Sequence, residues 1–379
     1  MTEPTLPWTA VHDDEAELRA RVAWARIAEP QDPIARRLID VHGIVDALDV
    51  ARQGRSGDAE HGSDRFLSRL GQLDVDRDLE VTSRIGARVI APGGPEWPAS
   101  LDDLESPPWV LWAQGPLRLD EATRRSVAVV GARASTAYGD AMATELAAGM
   151  AGRGFTVVSG AAYGIDGAAH RGALAVEGDT VAVLACGVDR SYPAAHSRML
   201  DAIREQGLVL SEVPPGAAPM RTRFLARNRL IAALAGGTVL VEAGLRSGAR
   251  STLRAASDLG RPVGAVPGPV SSMVSAGCHE EIRNARAVLV TDADEVADLV
   301  GLIGEDLAPE KRGEVRPEDD LDDIAHRVWQ VLPRAGGMTV DTLTRVAGLE
   351  VVETIGALGR LEVAGVARRH ESGWVRCGA

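Results

Sequence analysis

The chain has 379 residues, 45% of them hydrophobic and 25% charged, and carries a net charge of −13. This composition suits a globular protein of two or three domains. Cys186, Cys278 and Cys377 lie far apart and form no CxxC pair, which excludes a disulfide framework and a cysteine zinc site, and no run of about 18 apolar residues is present to make a membrane-spanning helix.

The first residues, MTEPTLPWTAVHDDEAE, are acidic and hold no apolar segment, so no signal peptide is expected and the expected location is cytoplasmic. The charge is uneven. Residues 1–119 hold 13 basic and 21 acidic residues, residues 120–290 hold 18 and 15, and residues 291–379 hold 10 and 18. Within 221–261 eight arginines stand against Glu242 and Asp258. A positive patch on a negative chain marks a site for a polyanion.

In chain order, residues 1–83 read as a small, acidic, SAM-like helical domain. Leu18, Val22 and Ala25 share one helical face, Ile34, Leu38 and Ile39 begin another, and Phe66, Leu67 and Leu70 restart a third after a Gly- and charge-rich loop from Arg52 to Gly62. Ala87–Ile90 and Trp109–Trp112 read as strands, with Trp97, Trp109 and Trp112 as core or seam residues. Val127–Val130 is an apolar run stopping at Gly131. Ala141–Gly152 is an Ala-rich helix, and Phe155–Val158 is a second buried strand stopping near Gly160. Strand, helix and parallel strand make a βαβ unit, whose ligand side is the carboxyl edge of its strands. Thr180–Leu184, Leu208–Leu210, Thr238–Val241, Pro262–Val266 and Val288–Val290 follow as strands with helices between them. The expected fold is α/β: a Rossmann-like, doubly wound, mostly parallel sheet over residues 84–300. Residues 301–320 form an acidic linker, and residues 321–379 a winged helix with three helices and a hairpin. Leu361–Ala367 is taken as the first wing strand. Val351, Val352, Ile355 and Leu358 are expected to bury against the module's first helix, and Glu350 and Glu353 argue against duplex reading by the helix they open.

The chemistry narrows by exclusion. A dinucleotide fingerprint needs GxGxxG and an acid about 20 residues on. Here Gly131-Ala132-Arg133 lacks the second glycine, and no acid follows Ser159-Gly160. The P-loop needs a lysine after its glycines, but the chain's one lysine, Lys311, lies in the acidic linker. No cofactor and no metal are expected. What remains suits phosphate. Gly131 and Gly139 relax a loop before a helix start whose N–H groups are unpaired, Arg133 offers a bidentate guanidinium, and Ser135 a further donor. Ser159, Gly160 and Gly164 make a second such turn. Asp166 is an N-cap or loop brace, and His170, four residues on, packs beside it or hydrogen-bonds it. On the helix from Phe224 to Leu234, Arg227 and Arg229 lie about 200° apart, so one should face a ligand and the other pack inside, with Asn228 bracing the loop after the fourth strand.

The run VVGARASTAYG, SGAAYGIDGAAHRGAL (Ser159–Leu174), TVAVLACGVDRSYP, LSEVPPG, FLARNRLIAALA and SGARSTLRAASDLGRPVGAVPG (Ser247–Gly268) closely resembles the DNA-processing protein A (DprA, also called Smf) family over residues 84–292. The resemblance implies a non-enzymatic protein that binds and protects single-stranded DNA and promotes loading of RecA recombinase, in natural transformation or recombination. It also implies a homodimer through the core, for which the Phe224–Leu234 face is the expected surface. Arg133 matches the family's first-loop arginine, and Ser247 and Gly248 open its last long motif. The family's basic residue before the third parallel strand is missing from Ala175–Thr180, and Arg171, one turn earlier, stands in for it. Asp166, His170, Glu242 and Gly268 are carried over as structural. The alternative is an enzyme resembling nucleoside monophosphate phosphoribohydrolases, for which Gly236-Gly237-Thr238 and Glu242 look superficially like the glycine turn and catalytic acid.

Overall fold

The computed structural model describes residues 12–53, 64–311 and 318–377. Most of the loop expected over Arg52–Gly62, the first residues and part of the acidic linker lie outside them. The chain divides into two compact units, Met1–Ala308 and Pro309–Ala379.

The first unit begins with α1 (His12–Ile27), α2 (Pro33–His42), α3 (Asp46–Arg52), α4 (Asp64–Leu70) and α5 (Val75–Arg84). Local chemistry sets their ends. Asp32 caps α2 by accepting from Ile34 N and Ala35 N, with Pro33 in the first turn and Gly43 at φ 79° after the last. Asp74 caps α5.

The sheet and its crossovers follow: β1 (Ala87–Ile90), β2 (Leu111–Gln114), α6 (Leu119–Ala122), β3 (Ser126–Val130), α7 (Ala137–Gly152), β4 (Thr156–Ser159), α8 (Ile165–Ala175), β5 (Thr180–Leu184), α9 (Ser197–Gln206), β6 (Leu208–Ser211), α10 (Arg221–Leu234), β7 (Thr238–Leu240), α11 (Ala249–Asp258), β8 (Val263–Ala265), α12 (Ala276–Arg283), β9 (Val288–Leu289) and α13 (Ala293–Val300). The strands lie in the order β1-β2-β6-β5-β4-β3-β7-β8-β9. From β6 to β9 every pairing is parallel, and β2 joins β6 antiparallel, with β1 antiparallel to β2. The strand expected at Trp109–Trp112 lies two residues later, because Trp112 pairs with Ser211 and Gln114 with Val209.

Every residue of β3, β4 and β5 is buried, as a central strand covered on both faces requires. Val127 and Val129 face α7, α8 and α13 through Leu146, Met150, Ala168 and Val296. Ala128 and Val130 face α10 and α11 through Leu230, Ile231 and Leu253. The N-terminal helices share a third cluster with the sheet: Trp24 meets Phe66 edge-on at 5.8 Å and Trp109 at 6.2 Å, beside Trp112 and Val209. Trp97 is buried in the cluster on the other side of the strands. Among the described residues no helix is long and apolar enough to cross a membrane.

The second unit holds α14 (Asp323–Val331), α15 (Val340–Ala347), α16 (Val351–Val363), β10 (Ala367–His370) and β11 (Gly373–Arg376), with β10 and β11 antiparallel. It is a winged helix around Val328, Leu343, Leu358, Leu361 and Trp374. Two expectations change here. Leu361 continues the buried stripe of Thr354, Ala357 and Leu358, so α16 runs on to Val363 and the wing strand starts at Ala367, after Gly365 at φ 73°. Leu358 is buried, but Val351, Val352 and Ile355 are 46%, 81% and 55% exposed, Val352 on the face opposite the buried stripe and Val351 and Ile355 along its flank. Glu350 and Glu353 form a reciprocal capping box at its start.

Candidate nucleic-acid interface

The chain winds from β3 outward through β4, β5 and β6, then returns to lay β7, β8 and β9 on the other side of β3. The carboxyl ends of β3 and β7 are therefore a topological switch point, where α/β sheets hold ligands. A cavity of about 470 Å³ opens there, lined by Gly131, Arg133, Phe224, Asn228, Arg246 and Ser247 among others.

Close backbone packing builds its floor. Gly131 has no room for a side chain: a Cβ would sit 2.5 Å from Ile165 Cγ1 and 2.8 Å from Glu242 O. Gly164, at φ 73°, passes so near the first loop that a Cβ would lie 2.2 Å from Ala132 O, and Ile165 N donates to that same carbonyl at 3.2 Å. The two glycine-bearing turns brace each other and leave Arg133 exposed at the rim. Its guanidinium lies over the half-buried ring of Phe224, 4.6 Å from the centroid. Phe224 was missed in the sequence because an aromatic in the first turn of an apolar helix reads as core. Tyr192 packs on the same ring at 5.7 Å. Tyr163 and Tyr192 line a second recess with Arg133 and Phe224.

The helix starts behave differently from expectation. Thr136 caps α7, but its N–H and hydroxyl both donate to the buried Glu242 carboxylate, at 2.9 and 2.7 Å. A Cβ on Gly139 would lie 2.1 Å from Glu242 Oε2, so a glycine is needed to admit that carboxylate. An internal anion thus occupies the site proposed for phosphate. Asp166, in the first turn of α8, turns instead to the loops before that helix. Burial raises its pKa, opposed by the Arg227 charge and by hydrogen bonds from the backbone N–H groups of Ala162 and Gly131. It is a loop brace, and the N-cap position belongs to Gly164. Of these three helix starts α11, at Ser247-Gly248, alone has no acid in its first turn. Ser247 Oγ accepts from Ala249 N at 3.3 Å.

The remaining expected residues divide in the same way. Ser135 donates its hydroxyl to the Asp140 carboxylate. Ser159 points inward, donating to Val129 O at 2.7 Å. Arg227 and Arg229 are both buried, at 5% and 7% exposure, so neither of them faces outward. Arg227 donates to Gly160 O at 2.7 Å and to Val183 O. Gly160 is a glycine because a Cβ would meet that guanidinium at 2.3 Å. Burial pushes the Arg227 pKa down to about 10 against the pull of Asp166. Arg229 pairs with Glu212 at 2.6 Å. Asn228 donates to Ser251 Oγ at 2.9 Å and to Gly248 O, bracing the start of α11 and not the loop after β6. Of the basic stretch, Arg223, Arg250 and Arg261 are also engaged internally, with Glu29, Glu281 and Ala235 O. Arg221 and Arg246 stay exposed, as does Arg171 on α8. The apolar face of α10 expected to form a dimer packs instead on the sheet through Leu230, Ile231 and Leu234.

His170 does not engage Asp166. Its Nδ1 donates to Thr180 Oγ1 at 2.7 Å, since that hydroxyl itself donates to Val157 O. Burial, with the neighbouring His196, Arg227 and Arg171, takes its pKa down to about 3, so the ring stays neutral. Burial likewise raises the thiols of Cys186 and Cys278 to about 11 and about 12. Gly268 leaves room for Ser275, whose Oγ a Cβ would meet at 2.1 Å, and its carbonyl contacts His279 Nε2 at 3.0 Å. Thr238 opens β7 and is buried, and Glu242 is committed to Thr136, so the superficial phosphoribohydrolase turn provides neither a phosphate loop nor a free acid. Among the described residues no three His, Cys, Asp or Glu side chains converge on a possible metal position.

A family model described as DNA recombination-mediator protein A matches residues 88–301, and one described as DprA winged helix domain matches residues 312–373. A putative DNA processing protein DprA from Mycobacterium tuberculosis is 46% identical over 94% of this chain and 95% of its own length. The X-ray structure of DprA from Streptococcus pneumoniae superposes with a TM-score of 0.63 at 31% identity, covering 76% of this chain and 98% of that one. DNA processing protein A from Helicobacter pylori, described for its single-stranded DNA binding mode, superposes with a TM-score of 0.51 at 29% identity, covering 56% of this chain and 94% of that one.

Proposed function

The chain belongs to the DNA recombination-mediator protein A family, and from that premise we propose that it binds and protects single-stranded DNA and passes it to RecA recombinase in recombination or transformation. One observation carries the reading: an exposed Arg133 stacked on Phe224 at the switch-point crevice. A guanidinium beside an aromatic face offers a phosphate contact and a base contact within one nucleotide's reach. Arg246 and the acid-free start of α11 extend the positive rim, and Arg221 is exposed in the first turn of α10. Gly131, Gly160, Gly164, Asp166, Arg227, Arg229 and Glu242 act beneath it by fixing the loops.

The homodimer belongs to the same reading. The β9 edge presents Val288 and Leu289 at 54% and 46% exposure, with no further strand beside them among the described residues. An open apolar edge of this kind suits pairing with a second copy, and two crevices on one strand raise avidity.

The test is titration with a labelled single-stranded oligonucleotide, with duplex, and with nucleoside monophosphates under assay for base release. Preferential single-strand binding is expected, with log K falling about 0.7 per log unit of salt for each contacted phosphate. A salt-independent affinity, or base release from a monophosphate, would overturn it.

A further inference from the structure

Tyr163 lies on the far wall of the recess that it shares with Arg133, Phe224 and Tyr192. Its ring is 50% exposed. Behind it stands His196, edge-on at 5.2 Å between centroids. His196 is held by its Nδ1–H, which donates to Ala161 O at 3.1 Å. Gly167 makes room for this arrangement: a Cβ there would lie 2.7 Å from His196 Cε1 and 3.2 Å from Arg171 Nη1. The His196 ring and the exposed Arg171 guanidinium therefore close over one glycine, next to Tyr163.

The loop that presents Tyr163 is fixed. Ala161, fully buried, sits at φ 52°, in the left-handed region, and Gly164 at φ 73°. Gly167 N donates to Ala162 O at 3.1 Å and Ala168 N to Gly164 O at 3.0 Å. A buried non-glycine residue held at positive φ persists where its surroundings over-determine it. The ring is thus presented by rigid backbone, which lowers the entropy lost on stacking.

We propose that Tyr163, backed by His196 and flanked by Arg171, is a second base platform, which takes the nucleotide adjoining the one at Arg133–Phe224 and turns the strand along α8. The inference rests on the single-strand reading above and adds a direction to it. The recess joins Phe224 and Arg133 to Tyr163, His196 adjoins Tyr163, and Arg171 meets His196 over Gly167. An aromatic face followed by a guanidinium repeats the chemistry of the first position, as a track of stacked bases and backbone phosphates requires.

The experiment measures affinity against oligonucleotide length and salt for the full chain and for Tyr163→Ala, Tyr163→Phe, Arg171→Ala and Arg133→Ala. Tyr163→Ala should lose about tenfold on strands long enough to leave the first position, with an unchanged salt slope, and Tyr163→Phe should retain full affinity. Arg171→Ala should reduce the salt slope by about 0.7, the value for one single-strand phosphate. A 2-aminopurine next to the base held at the first position should be quenched on binding, and Tyr163→Ala should relieve this. Loss of binding in Arg133→Ala, with Tyr163→Ala equal to the unaltered chain at every length, would overturn the second platform and leave the single-strand reading standing. If Arg133→Ala also binds normally, both fall.

Discussion

Glu29, in the turn between α1 and α2, accepts two hydrogen bonds from Arg223, 194 residues further along the chain, at 2.7 and 2.9 Å. Arg69 of α4 donates to the same carboxylate at 3.1 Å. Arg223 immediately precedes Phe224, so the N-terminal helices clamp the first turn of the helix that brings the ring to the crevice. Removing Glu29 should loosen that turn. Glu29→Gln is expected to weaken single-strand binding severalfold while Arg133 remains in place. Calorimetry should show only a modest loss of stability, on the order of 1–3 kcal/mol for charge-assisted bonds.

The same pair sets a pH dependence. Burial pushes the Glu29 pKa up, but the Arg223 hydrogen bond and charge, with Arg69, outweigh this and hold it below its ordinary 4.5. Glu281 is held below its ordinary value in the same way by Arg286 and Arg250. A carboxyl with a depressed folded pKa contributes stability above its unfolded pKa, and that contribution is lost as pH falls through the folded value. The Tm difference between the unaltered chain and Glu29→Gln should therefore be constant from about pH 5.5 to 8 and shrink below about pH 4. A difference that grows on acidification would contradict the assignment.

Arg133 and Arg227 should separate cleanly. Arg133→Ala removes an exposed side chain, so Tm should hold while affinity and salt slope fall. Arg133→Lys should recover the slope but little of the affinity, because an ammonium does not stack on Phe224 as a planar guanidinium does. Arg227→Ala strips the buried Asp166 of its positive neighbour and leaves the carbonyls of Gly160 and Val183 without that donor. A loss of about 3–5 kcal/mol is expected, the range for breaking a buried charge pair. Any fall in its affinity should disappear under stabilising conditions.

The winged helix offers a contrast within one helix. Leu358→Ala, in the module's core, should cost about 2–5 kcal/mol in the unfolding of that module, while Val352→Ala and Ile355→Ala should change it by less than about 0.5 kcal/mol. A chain ending at Asp319 should keep most of its single-strand affinity, since the removed face of α16 carries Glu350, Glu353 and exposed valines, and its Arg360 is paired with Asp322. Loss of most binding in that chain, with the first unit still folded, would show that the module touches the strand.

Much of the fold was legible because its signals are local. Apolar runs such as Val127–Val130 end at glycines, and the crossover helices carry short apolar repeats, so the parallel sheet and its ligand edge follow from the sequence. The site was only half legible. Arg133 stands in a loop after a strand, where exposure is the rule. Arg227 and Arg229 lie in a helix whose far partners, Gly160, Val183 and Glu212, cannot be inferred from helical spacing, and their charges are absorbed indoors. Thr136 and Glu242 meet across 106 positions, so the occupied start of α7 had no signal near Thr136. Tyr163 and Phe224 were hidden for the opposite reason: an aromatic among alanines, or opening an apolar helix, resembles core.

The carboxylate that fills the start of α7, and the one that braces the loops before α8, also govern what the crevice ignores. A helix start left open would trap inorganic phosphate or any loose nucleotide, and a phosphate-rich solution would keep it occupied. With Glu242 seated at α7 and Asp166 held beneath the loops before α8, a small anion meets the start of α11 and scattered guanidinium groups one at a time and gains little from each. Only a polymer engages several together. The crevice should therefore stay vacant in a pool of monomers and fill when a strand arrives, selecting by the connectedness of its ligand and not by the ligand's charge.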